Sequence, residues 1–145
     1  MPAGSGPLDR PTIEVGDVHA AFATVIQQFR PPRDAARVGV SPQAVIDPSA
    51  RLAADVEIHP LAWVGPDCEI ATGATIHAGV RLMAGCRIGA GTTIFPNAVL
   101  YEDTVVGERC IIHAGAILGA YGFGYKVVDG RYALSAQLGW VELGD

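Results

Sequence analysis

Between residues 64 and 94 a branched aliphatic recurs at every sixth position: Val64, Ile70, Ile76, Leu82, Ile88 and Ile94. The phase extends back through Ile58, Leu52 and Ile46 to Val40, and forward through Leu100, Val106 and Ile112 to Leu118, giving fourteen consecutive hits. Two residues before each stands a small or modest side chain, such as Ala62, Cys68, Ala74, Val80, Cys86, Thr92 or Ala98. Three residues after it comes a frequent turn former: Gly73, Gly79, Gly85, Gly91, Asn97, Asp103 or Gly115. A helix requires apolar spacings of three and four, and an isolated strand requires two. Six, with alternation inside each unit, predicts short strands that send positions i and i−2 inward and are joined by turns. Three units close one triangular coil of about eighteen residues. At about 4.8 Å per coil, four to five coils make a prism roughly 22 Å tall.

Composition narrows the functional classes. Half of the 145 residues are hydrophobic and 17% are charged, a composition of a folded chain rather than a disordered one. The net charge of −5 and the scattered basic residues argue against nucleic acid as a partner. No apolar run is long enough for a transmembrane segment, and MPAGSGPLDR has no signal core. Three cysteines without a CxxC pair fit a reducing, cytoplasmic setting better than a disulfide framework.

Before the repeats, DVHAAFATVIQQF carries Val18, Ala21, Phe22, Val25, Ile26 and Phe29 on one face, which predicts an amphipathic helix. Asp17 is its expected N-cap and Pro31–Pro32 its expected stop. After Leu118 the rhythm breaks at GAYGFGYKVVDGRYALSAQLG and resumes at WVELGD, with Val141 and Leu143 back in inward roles. Residues 1–16 read as a flexible tail, 17–32 as a helical segment, and 38–145 as the coil with a loop inserted at 120–138. The coil stops in mid-repeat, so the chain is expected to be a piece of a longer protein, because a bare coil end leaves backbone groups and apolar surface uncovered.

Several residues invite chemistry. His59, His77 and His113 each follow an inward aliphatic and lie 18 and 36 residues apart, so they stack on one edge with Phe95 on the missing rung. Such a ladder is either a weak metal or acid–base candidate or a column of outward residues in a groove or contact. His19 belongs to the helix and is expected to face water. Cys68 and Cys86, also eighteen apart, read chiefly as small core fillers beside Cys110, with a disulfide as the alternative. Gly122–Phe123–Gly124 lacks the strand–loop–helix setting of a phosphate loop, so its glycines read as a tight turn. Asp67, Asp103 and Glu108 fall at turns and are expected to face water.

The stretches VHAAFATVIQQF, IDPSARLAADVEIHPLAWVG, GTTIFPNAVLYEDTVVGERCIIHAGAILGAYGFGY and QLGWVELGD resemble the UDP-3-O-acylglucosamine N-acyltransferases of lipid A biosynthesis. The resemblance implies an all-β fold, a left-handed parallel β-helix of hexapeptide repeats with a short N-terminal helix. That hand follows from the resemblance alone, since ordinary crossovers are right-handed. It further implies that the helix is the remnant of a uridine-binding domain and that the protein works as a homotrimer. The implied reaction moves a 3-hydroxyacyl group from acyl carrier protein to the amine of a UDP-sugar substrate, with no cofactor. Asp17, Gly122, Phe123, Gly124, Tyr125 and Gln137 are the substrate-binding candidates it implies. Asp17–Val18 stand where the family has Asn-Pro, and Ala120–Tyr121 where it has Ser-Asp. The family's catalytic histidine falls in a repeat beyond Asp145, so His59, His77 and His113 do not inherit its role, and the chain alone is expected to be inactive. Two other readings of the same residues are a non-catalytic β-helix scaffold and a metal-dependent, carbonic anhydrase-like protein. The zinc-binding histidine pair five residues apart known from that last group is not matched, since Leu118 stands five after His113.

Overall fold

The computed structural model describes residues 2–4, 6, 9–30 and 37–145, in two compact units divided after Ala36. The expected helix stop at Pro31–Pro32 lies outside the described residues.

In the first unit, α1 spans Val18–Phe29. Asp17 caps it in extended conformation, its carboxylate accepting the Ala20 N–H at 3.0 Å. This satisfies one of the amide donors that every helix start leaves free. At the other end the Arg30 N–H donates to the Ile26 carbonyl at 2.7 Å. Phe22, Val25, Ile26 and Phe29 all stay exposed, as does His19.

In the second unit, thirteen two-residue strands follow at six-residue intervals from β1 (Val45–Ile46) to β13 (Ile117–Leu118). They stack as three parallel sheets that form the sides of a prism. One holds β1, β4 (Trp63–Val64), β7 (Arg81–Leu82), β10 (Val99–Leu100) and β13. The next holds β2 (Arg51–Leu52), β5 (Glu69–Ile70), β8 (Arg87–Ile88) and β11 (Val105–Val106). The third holds β3 (Glu57–Ile58), β6 (Thr75–Ile76), β9 (Thr93–Ile94) and β12 (Ile111–Ile112). Among these thirteen strands every pairing joins residues eighteen apart, for example Leu82↔Leu100 and Ile76↔Ile94.

The register puts like on like, and that makes the core. From Ile58 to Ile112 every sixth residue is buried, and Ala62, Cys68, Ala74, Val80, Cys86 and Ala98 fill the i−2 positions between them. The i−1 residues of the same strands, among them Arg51, Glu69, Arg81 and Arg87, point out. The corners need a left-handed residue, and the i+3 position supplies it with φ between 54° and 72° from Leu61 to Gly115. At the N-terminal end of the prism the first predicted rung is reduced to a single bridge, Val40↔Ile58, and Val38 and Val40 stay 45% and 48% exposed because no strand among the described residues pairs with them on the other side.

The rhythm resumes at β16 (Glu142–Leu143), where Leu143 pairs with Val106. That is 37 residues on instead of 18, so 19 residues are looped out of the coil while its register is kept. Part of the loop is an antiparallel hairpin of β14 (Tyr125–Val128) and β15 (Arg131–Leu134), turned at Asp129–Gly130 with φ of 50° and 73°. Positive φ at both turn residues is the signature of the two-residue hairpin that Asp-Gly favours.

Candidate functional site

The looped-out segment brings five of the six expected site residues together. The Gly124 N–H donates to the Gly122 carbonyl at 2.9 Å, and the Ser135 N–H donates to the Gly124 carbonyl at 2.8 Å. Gln137 folds back over this turn: its Nε2 donates to Ser135 O at 3.4 Å and lies 3.1 Å from where a Cβ on Gly124 would sit. A side chain at 124 would therefore displace the Gln137 amide. Phe123 and Tyr125 approach each other at 5.2 Å between ring centroids. With Tyr132 they line an open recess of about 480 Å³. Register places Tyr125 opposite Leu134 and Val127 opposite Tyr132, so one hairpin face is wholly apolar and aromatic. Phe123 is 97% exposed, so the cluster is an uncovered apolar and aromatic patch. Asp17, the sixth candidate, belongs to the other unit and is occupied in capping α1.

Sequence reasoning missed Tyr132 and Trp140. The Asp-Gly dipeptide between YKVV and RYAL was the available signal for Tyr132, since a two-residue turn there fixes the cross-strand pairs. Trp140 lines a second recess of about 320 Å³ at the root of the loop, with Glu102, Asp103, Gly119, Tyr121 and Gln137. Tyr121 meets Tyr101 edge-on at 5.8 Å. A larger groove of about 490 Å³ runs down the flat side of the second sheet, floored by Ala53, Ala71 and Gly89. Glu69 there is ion-paired with Arg51, whose hydrogen bond and charge hold the carboxyl below the usual carboxylate range.

The histidine ladder is present. Ring centroids lie 4.6 Å apart for His59–His77, 5.1 Å for His77–Phe95 and 5.8 Å for Phe95–His113. Phe95 thus separates His113 from the other two. Among the described residues no group of three or more His, Cys, Asp or Glu side chains is placed to hold a metal ion.

Burial, and secondarily the neighbouring His59, push His77 below the ordinary histidine value of 6.5, while Glu57 opposes them. A lowered folded-state pKa means that the folded protein binds the proton less readily than the unfolded chain. Its stabilising contribution is therefore full above about pH 6.5 and is lost as the pH falls through the lowered value. The variant His77→Phe, which repeats the Phe95 rung, is expected to lose this part of the acid sensitivity. Urea midpoints measured between about pH 7 and pH 5 should fall less steeply for the variant than for the native chain. Parallel slopes would remove His77 as a source.

Cys68 and Cys86 are buried with free thiols, and Cys110 is free and half-buried. The Cys68 sulfur beside it, together with burial, pushes the Cys86 thiol well up. Asp67 and Asp103 hold left-handed corners at φ 55° and 58°. Glu108 pairs with Arg109, and its N–H donates to Asp145.

Comparison with known proteins agrees with this geometry. Residues 85–120 match the family described as bacterial transferase hexapeptide (six repeats). The chain is 54% identical over 129 residues to the UDP-3-O-acylglucosamine N-acyltransferase of Bordetella pertussis, covering 86% of this chain and 36% of that protein. It is 51% identical over 131 residues to the enzyme of the same name from Pseudomonas fluorescens, covering 90% and 37%. Among solved structures, a UDP-N-acetylglucosamine acyltransferase from Bacteroides fragilis superposes with a TM-score of 0.51 at 29% identity, over 53% of this chain and 35% of that one. The chain thus spans little more than a third of the length of the curated relatives it matches. No helix among the described residues is long and apolar enough to cross a membrane. The three-sided parallel coil, its sixfold repeat and these relatives together make the chain a left-handed β-helix of hexapeptide repeats, similar along most of its length to part of the UDP-3-O-acylglucosamine N-acyltransferases.

Proposed function

We propose that this chain is part of an N-acyltransferase of lipid A biosynthesis. The reaction moves a 3-hydroxyacyl group from the thioester of an acyl carrier protein to the amine of UDP-3-O-acylglucosamine. The observation that carries the reading is the 54% identity to an enzyme of that name, extending over 86% of the chain. The clustering of Gly122, Phe123, Gly124, Tyr125 and Gln137 around one exposed aromatic recess supports it. In this reading α1 is the end of a uridine-binding domain, and the loop borders a cleft between neighbouring prisms of a cytoplasmic homotrimer. Phe123 and Tyr125 contact substrate, and Gln137 sets the Gly122–Gly124 turn.

A general base is required to take the proton from the attacking amine, and donors are required to stabilise the tetrahedral oxyanion. His59, His77 and His113 are not assigned that base. Residues 1–145 alone are therefore expected to give no transfer. Joined to the remaining N-terminal and C-terminal parts of the Bordetella pertussis relative, they are expected to give transfer from 3-hydroxyacyl acyl carrier protein to UDP-3-O-acylglucosamine. In the joined protein Tyr125→Ala is expected to lower kcat/KM by about tenfold or more, the effect of truncating a buried aromatic contact. Transfer by residues 1–145 unaided, or none by the joined protein, contradicts the proposal.

A further inference from the structure

Five inward i−2 positions carry a hydroxyl or thiol, and four of them obey one rule. Each donates to the carbonyl that lies fifteen residues on, in the coil above. The Cys68 thiol donates to Met83 O at 3.0 Å, the Cys86 thiol to Tyr101 O at 3.2 Å, and the Thr92 hydroxyl to Gly107 O at 2.7 Å. The Cys110 thiol donates to Gly144 O at 3.0 Å, which is 34 residues on because the 19-residue loop intervenes. Thr92 also accepts the Cys110 N–H at 3.0 Å, so its hydroxyl is fully used. The fifth position is Thr104. Its rule-bound partner is the carbonyl of Gly119, the residue at which the chain leaves the coil. The Thr104 hydroxyl is completely buried and has no hydrogen-bond partner, the one such side-chain atom among the described residues.

An orphaned hydroxyl in a core is expensive and uncommon. The surroundings explain why this one persists. Gly119 has φ +77°, and a Cβ there would stand 2.9 Å from Thr104 Oγ1 and 3.1 Å from Tyr101 Cβ. Gly119 is thus already packed against the hydroxyl, although its carbonyl does not accept from it. Rotation at this glycine carries the loop with it, because the hairpin pairs only with itself. The rungs on either side are intact: the Tyr101 N–H donates to Leu118 O and the Val105 N–H to Val141 O, each at 2.9 Å.

We propose that Thr104 is the positioning residue of the inserted loop. The loop pivots on Gly119 between the open state seen here and a seated state in which Thr104 Oγ1 donates to the Gly119 carbonyl. Seating reshapes the recess at the loop's root, which Gly119 lines together with Tyr121, Trp140 and Glu102. The proposal does not rest on the acyltransferase reading.

The test is amide hydrogen exchange on residues 1–145, comparing the native chain with Thr104→Val and Thr104→Ser. Valine keeps the shape and removes the donor; serine keeps the donor. In Thr104→Val the Tyr101 and Val105 amides are expected to exchange about fivefold faster, the fold-change of one net hydrogen bond. The Gly65 and Met83 amides, which donate to Leu82 O and Leu100 O in rungs away from the loop, are expected not to change. Thr104→Ser is expected to return Tyr101 and Val105 to within about twofold of the native rates. Rates in Thr104→Val that are equal or slower overturn the proposal, since removing a permanent orphan can only tighten the core. A rise of the same size at Gly65 and Met83, or no recovery with serine, overturns it as well.

Discussion

Gly89→Ala is expected to open the prism, although it adds a single methyl group. The Cβ would lie 2.7 Å from the Glu108 amide nitrogen and closer still to the Gly107 carbonyl, one coil above. All of these are backbone atoms in a stacked rung, so no side chain can swing away to make room. The Gly89 N–H also donates to Val106 O at 2.8 Å, so relief by moving the strand breaks a ladder bond. Overpacking of a close-packed interior commonly costs up to about 3 kcal/mol, and the upper end applies where backbone must move. Gly115→Ala provides the contrast. There φ is +72°, but nothing lies within 4 Å of the added carbon, so the expected loss is only the left-handed strain of about 1 kcal/mol. Urea unfolding of the two variants checks the pair. A smaller loss at 89 than at 115 would show that the coils do not approach as described.

Leu82→Ala and Arg81→Ala make the second contrast, on adjacent residues of one two-residue strand. Leu82 is fully buried and pairs with Val64 below and Leu100 above. Truncating it removes buried methyl groups and leaves a cavity that stacked rungs cannot close, at about 3 kcal/mol. Arg81 points outward from the same strand, and no salt bridge joins it to the described residues. Its truncation is expected to change stability by less than about 0.5 kcal/mol. Because each coil touches only its neighbours, the Leu82 variant should loosen the rungs around it before the rest. Equal effects at the two positions would contradict the inward and outward assignment.

The prism was legible because each residue type meets its own kind eighteen residues on. Val64, Leu82 and Leu100 form one stack, so a pattern in one dimension states a packing in three. The corners were legible only in part. Gly, Asn and Asp at i+3 announced left-handed turns, yet Leu61 and Arg109 adopt φ of 64° and 54° in the same slot. The stacked rungs on either side impose the corner whatever residue occupies it. Val38 and Val40 carry the right phase and stay half exposed, because burial belongs to a neighbouring coil rather than to the residue. In the loop, the grouping of Gly122–Tyr125 with Gln137 was readable from the motif. The facing of Tyr132 depends on hairpin register, and the orphaned Thr104 on where the chain leaves the coil, and neither has a periodic signature.

The central claim is that sixfold spacing places residues eighteen apart on adjoining rungs. Cross-strand nuclear Overhauser contacts on isotope-labelled protein test it most directly. Contacts are expected between the backbones of Arg81 and Val99, of Thr75 and Thr93, and of Glu69 and Arg87. Finding instead contacts three and four residues apart through this region, or pairing in antiparallel order, would contradict the three-sided coil.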